Sequence, residues 1–134
     1  LHMFTARAIA VHEDEGLWAV GCCDDSSNIT RYCTIQRANY FDEQDRALGQ
    51  DQLYFEFNDQ LHSFFGGVST IELDPAELRI RIDREVARRH NLPTPVRITL
   101  QLAREDWLQL RDGLAFILAS FVSFAPSEPP GLGP

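Results

Sequence analysis

Residues 53–82 constrain the fold most strongly. Leu53, Phe55 and Phe57 alternate with Tyr54, Glu56 and Asn58, and Leu78, Ile80 and Ile82 alternate with Arg79, Arg81 and Asp83. A period of two puts the apolar set on one side of a strand and the polar set on the other. Between these runs lie the apolar residues 61–65, Gly66 and Gly67, and a further strand over 68–73 with Ile71 and Leu73 inward. The paired glycines permit a bulge or tight turn. Asp74 followed by Pro75 is turn chemistry, because Pro presets the second turn position.

The rest of the chain extends this pattern. Strands are expected over 4–12, 17–23 and 29–37, joined by the polar turns 13–16 and 24–28. They read as an antiparallel meander, with Ile29, Cys33 and Ile35 on one face and Tyr32, Thr34 and Gln36 on the other. Residues 38–52 form a long polar connection, with a helical turn over 42–48 ended by Gly49. Asp83 is placed to cap a short helix over 84–90, and Asn91 and Pro93 stop it. A last strand is expected over 96–102.

Residues 104–124 then read as the longest helix. Trp107, Leu110, Leu114, Ile117, Leu118 and Phe121 recur at helical spacing and form one apolar stripe. Gly113 inside it costs about 1 kcal/mol relative to alanine. Leu108 and Phe116 fall off the stripe.

An alternating sheet with one apolar face needs a cover, and the terminal stripe supplies it. The expected class is therefore α+β: a curved, mainly antiparallel sheet of about seven to eight strands, packed by the C-terminal helix, with one short extra helix. One domain is expected over 3–124 of the 134 residues, and the Pro- and Gly-rich end, 125–134, is expected to be a disordered tail. Leu1 and His2 read as a cloning remnant before Met3. Neither a signal-peptide layout nor a long apolar run is present, so a cytoplasmic location is expected.

Composition narrows the chemistry. Net charge is −8 and every basic residue is arginine. Acids dominate residues 11–60, whereas arginines dominate 78–111. An acidic half disfavours nucleic acid as a partner and favours a basic protein. The arginine group lacks interleaved aromatics and reads as a solvated face. Cys22, Cys23 and Cys33 are odd in number and lack paired zinc spacing. They are expected to be free thiols, with Cys23 and Cys33 on apolar faces. Asp42, Asp45 and Asp51 do not fit a calcium loop. His62 beside Ser63 and Asp59 lacks the spatial layout of a triad, and Glu56 with Asp59 is a weak acid–base pair. No nucleotide-binding or hydrolase motif is present. Neither a catalytic residue, a metal nor a cofactor is expected.

Several short pieces together carry a resemblance. They are Tyr32-Cys33-Thr34-Ile35-Gln36-Arg37, Asp45-Arg46-Ala47-Leu48-Gly49, Tyr54-Phe55-Glu56 and Asn58-Asp59-Gln60, then Phe65-Gly66-Gly67, Ile71-Glu72-Leu73 and Leu78-Arg79-Ile80. The chain resembles the bacterial Immunity protein 10 family of polymorphic toxin systems over residues 6–121. Phe65 stands where that pattern has tyrosine. The resemblance implies a cytoplasmic, non-catalytic antidote that binds a cognate toxin domain. If that toxin is a nuclease, its active-site cleft is basic and an acidic face could occupy it. On this reading Asp42, Glu43, Asp45, Glu56 and Asp59, with Tyr54 and Phe64 as aromatic anchors, are expected at the toxin-binding surface. The alternatives are an adaptor or chaperone for effector secretion, and a small-molecule-binding domain.

Overall fold

The computed structural model describes residues 4–38, 40–49, 51–119 and 121–131. Among them are ten strands in two five-stranded sheets, and three helices. The class is α+β, as expected, but the strands divide between two sheets. Sheet I has the order β1 (Thr5–Ala6), β9 (Val96–Leu100), β8 (Glu77–Ile82), β7 (Val68–Leu73), β10 (Ser123–Pro126), and sheet II the order β2 (Ala8–Asp14), β3 (Leu17–Cys23), β4 (Tyr32–Ala38), β5 (Tyr54–Phe57), β6 (Asp59–Phe65).

The chain passes between the sheets at two short joints. Strand β1 (Thr5–Ala6) lies parallel to β9 (Val96–Leu100) in sheet I. The chain leaves it at Arg7 and enters sheet II as β2 (Ala8–Asp14). The single strand expected over 4–12 is thus two. Strands β3 (Leu17–Cys23), β4 (Tyr32–Ala38), β5 (Tyr54–Phe57) and β6 (Asp59–Phe65) complete an antiparallel meander.

Asn58, at φ +65°, turns β5 into β6. The side chain of Asn58 accepts from the Tyr32 amide at 2.9 Å, which ties the reversal to β4. Gly66 and Gly67, at φ +72° and +80°, form the second joint and carry the chain into β7 (Val68–Leu73). A β-carbon on Gly67 would lie 3.0 Å from Val86 and 3.1 Å from Phe64, so both conformation and space require glycine there.

Strand β8 (Glu77–Ile82) lies between β7 and β9 and is antiparallel to both. The Asp74 side chain holds the β7–β8 turn by accepting from the Ala76 and Glu77 amides. Helix α2 (Arg84–Arg89) is capped by Asp83, and α1 (Glu43–Ala47) fills part of the β4–β5 connection. Both match the sequence expectation.

Helix α3 runs Arg104–Leu118 and buries Trp107, Leu110, Leu114, Ile117 and Leu118. It ends earlier than its stripe suggests, because Ala119 adopts φ +37°. Arg37 of β4 meets this end. Its guanidinium donates to the carbonyls of Phe116 and Ile117 at 2.9 and 3.3 Å and lies over the Phe116 ring at 4.8 Å. Carbonyls at a helix end lack helical partners, and a cation there opposes the negative end of the dipole. Phe121 therefore lies outside the helix and is 40% exposed. Beyond it, β10 (Ser123–Pro126) pairs parallel with β7. The Ser127 amide donates to Leu73, and Arg104 donates to the Pro130 carbonyl. This part of the Pro- and Gly-rich end is thus held to the fold, where disorder was expected. Residues 132–134 lie outside the described residues.

The inward faces of both sheets and the stripe of α3 form one core. Leu78 of sheet I, Val20 and Ile35 of sheet II, and Leu110 and Leu114 of α3 surround one small space of about 10 Å³. Cys22 and Cys33 face each other across β3 and β4 and are buried, whereas Cys23 points to the other face. The expectation of Cys23 on an apolar core face is corrected by one residue of register. Burial pushes the Cys22 thiol up to about 12, with neighbouring Cys23 adding to the rise.

Gly113 shows why α3 tolerates a weak helix former. A β-carbon there would lie 2.9 Å from Val20 and 3.0 Å from Val11, so glycine lets the helix approach sheet II closely. Gly113→Ala is expected to destabilise the fold by about 1–3 kcal/mol through overpacking, despite the better helix propensity. Urea unfolding checks this; a more stable variant would show that the helix can move away.

Candidate functional site

Sheet I and sheet II present different outer faces. On sheet I, Arg79, Arg81 and Arg97 alternate with inward Leu78, Ile80 and Ile98. Their charges are matched locally. Arg79 pairs with Asp74 at 2.8 Å and Glu77 at 3.0 Å, Arg81 with Glu72 at 2.9 Å, and Arg97 with Glu77 at 3.4 Å. Asp74 is held below the usual carboxylate range, chiefly by its hydrogen bond from Arg79. This face is an ion-pair lattice with its valences largely used.

Sheet II has α3 on its inner face. Its outer face follows from register. One row crosses it through Ala10, Gly21, Thr34, Glu56 and Ser63, each the partner of the next. A flanking row contains Ala8, Cys23 and Tyr32, and the other contains His12, Ala19, Gln36, Tyr54 and Phe65. The β2 and β3 half is lined by small side chains. There a concavity of about 410 Å³ opens between Ala8, Ala10, Gly21, Tyr32 and Thr34, and Ile29 of the β3–β4 loop borders it. Ile29 was expected on the core face of a strand. It is 56% exposed, because β4 begins only at Tyr32.

That loop is built on one carboxylate. Asp24 accepts from the amides of Asp25, Thr30 and Arg31 and from the Thr30 hydroxyl. The Thr30 hydroxyl foremost, then the Arg31 amide, lower the Asp24 carboxyl from 3.8 to about 2.

The β4 and β5 half is aromatic and acidic. Tyr54 donates its hydroxyl to Glu56 Oε1 at 2.6 Å, and the Tyr32 hydroxyl donates to Glu56 Oε2. Both carboxylate oxygens are thus held between two phenols. Among the described residues no ion pair reaches Glu56. The Tyr54 ring packs on Phe65 at 5.1 Å. Both phenols are raised above their ordinary value, first by burial and then by the hydrogen bond to Glu56.

The seven residues singled out from sequence fall into three places. Asp42, Glu43 and Asp45 lie on and before α1. Asp42 and Asp45 cap each other's backbone amides at 2.8 and 3.0 Å, so those carboxylates build the helix start. Tyr54 and Glu56 are together on the outer face of sheet II. Asp59 sits at its rim, where it accepts from the Leu61 and His62 amides and meets His62 Nδ1 at 2.9 Å. Phe64 differs from expectation. It is 9% exposed and stacks on Phe55 at 5.1 Å, so it belongs to the core and Phe65 is the outward ring. A one-residue shift in register exchanges the two. Tyr32, Ala10 and Gly21 share this outer face with Tyr54 and Glu56. The alternation of 32–36 put Tyr32 outward, but only strand pairing sets it beside Glu56.

A family model described as Immunity protein 10 matches residues 5–108. The chain belongs to this family. No curated protein matches it. The match runs from β1 into the first turn of α3, and so includes every strand of sheet II. Immunity proteins of this kind are generally non-catalytic and bind a cognate toxin. Among the described residues, no group of three or more His, Cys, Asp or Glu is placed to hold a metal ion. No helix there is long and apolar enough to cross a membrane.

Two titrations probe this surface. Asp24 has a depressed pKa, so its contribution to stability is present above the ordinary carboxylate value and is lost as pH falls from about 4 towards 2. Asp24→Asn is expected to flatten the acid side of the stability curve; an unchanged slope would show that Asp24 is not the group responsible. Tyr32 and Tyr54 have raised pKa values, so the neutral phenols favour the fold until pH rises past their ordinary value near 10.0. Glu56→Gln is expected to bring phenolate absorbance in at lower pH, with burial still holding it above an exposed tyrosine.

Proposed function

We propose that this protein is a non-catalytic antidote that neutralises one cognate toxin domain by stoichiometric binding in the bacterial cytoplasm. Membership of the Immunity protein 10 family over residues 5–108 carries this reading. The distribution of charge supports it. The net charge is −8, and the sheet I arginines are taken up by neighbouring acids, leaving Glu56, Asp24 and Asp25 without basic partners among the described ion pairs. A toxin whose active-site cleft is basic, as in a nuclease, is the partner class that such a surface suits. Oppositely charged faces also speed encounter.

The acidic lead-in at Asp42, Glu43 and Asp45 remains a candidate contact together with Tyr54, Glu56 and Asp59. Glu43 is its most informative member, because the other two acids also cap α1.

Co-expression with toxin domains sought in the product of the adjacent gene tests the reading. Restored growth together with a one-to-one complex is expected. A stable complex that leaves the toxin active would instead identify an adaptor or secretion chaperone, and absence of a complex would remove the antidote reading. Association should slow steeply as salt is raised, as measured by stopped flow. A salt-independent rate would exclude charge-guided docking.

A further inference from the structure

Glu56 and the apolar concavity are adjacent and share a wall. Tyr32 lines the concavity and donates its hydroxyl to Glu56. Gly21 and Glu56 lie in one row, separated by Thr34, which places them two strands or about 10 Å apart. We propose that the outer face of sheet II docks a basic segment of the cognate toxin through two neighbouring side chains: an arginine on Glu56 between Tyr32 and Tyr54, and an apolar residue in the concavity over Ala10 and Gly21. This rests on the antidote reading and adds to it the surface and the chemistry of the contact.

Three observations converge on that occupant. First, Glu56 is a carboxylate whose neighbours are neutral phenols, and no basic side chain among the described residues pairs with it. The two hydrogen bonds orient the carboxylate but leave its charge unmatched. Each carboxylate oxygen can accept a further hydrogen bond, and a planar guanidinium matches two oxygens at once. It also stacks on aromatic faces, which an ammonium does less well. Second, the adjoining concavity of about 410 Å³ is lined mainly by apolar residues such as Ala8, Ala10, Gly21 and Ile29, with Ser26, Tyr32 and Thr34 among them, so it accepts a hydrocarbon side chain better than a polar one. Third, Asp24 and Asp25 line, with Arg7, a neighbouring hollow that shares Ala8 and Ser26 with the concavity; two acids against one arginine leave that border net negative, so charge complementarity favours a basic surround for the apolar residue. Sheet I offers no equivalent, because its outward arginines and acids already satisfy one another.

The experiment uses the full chain and a catalytically inactivated cognate toxin domain, identified by its rescue on co-expression, with affinity measured by calorimetry. Ala10→Phe fills the concavity without changing charge. Glu56→Gln removes the charge while keeping an acceptor for one tyrosine. Arg81→Gln on sheet I is the control, and circular dichroism checks that each variant folds. Ala10→Phe and Glu56→Gln are each expected to weaken binding by about tenfold or more, with Arg81→Gln near wild type. Glu56→Gln should also make affinity less sensitive to salt, a change that loss of packing alone would not produce. Wild-type binding that both folded variants retain would overturn the proposal and leave the antidote reading standing. No binding by the wild type would overturn both. Should one variant fail to fold, the other decides.

Discussion

The fold depends on α3 being apolar along one stripe and close to both sheets. Each sheet alternates apolar and polar residues, so each has one face that must leave water. Trp107, Leu110, Leu114 and Ile117 meet those faces together and join them into one core. The Trp107 indole donates to the Asp74 carbonyl at 2.9 Å, which fixes the start of the stripe to the β7–β8 turn. Arg37 holds the other end by its last carbonyls. A buried indole donor and exposed helix carbonyls both require partners, so these contacts also set where along the sheets the helix lies.

This shared cover decides which surfaces remain. Sheet I turns outward a lattice in which each arginine has a carboxylate. Sheet II turns outward small side chains, three aromatic rings and one carboxylate held by phenols. The contrast is physical rather than compositional: ion pairs on sheet I screen one another locally, whereas the charge of Glu56 is not screened by a cation. An unmatched charge next to an apolar hollow is a surface that a partner can complete. It suits a protein whose family acts through binding.

The two sheet-to-sheet joints make this arrangement possible in a short chain. Arg7 and the Gly66–Gly67 pair change sheets without a long connection. The second joint needs two successive positive φ values and close contact with Val86 and Phe64. In consequence, β6 and β7 are separated by two residues in sequence yet serve different faces of the molecule.

Local sequence alone determined much of the framework. The alternation of Leu53, Phe55 and Phe57, the Asp42 and Asp83 caps, Gly49, and the stripe from Trp107 to Leu118 all express forces acting within a few residues. The tertiary structure decided what depended on distant partners. Two sheets rather than one follow from pairings such as β1 with β9 and β10 with β7, which no local period encodes. The carbonyls at the helix end find their partner in Arg37, far away in sequence. The exchange of Phe64 for Phe65 as the outward ring, and of Cys23 for Cys22 as the buried thiol, depended on register, where one residue reverses the face. For the same reason the alternation could place Tyr32, Tyr54 and Glu56 on outward faces, but only strand pairing could bring their oxygens together.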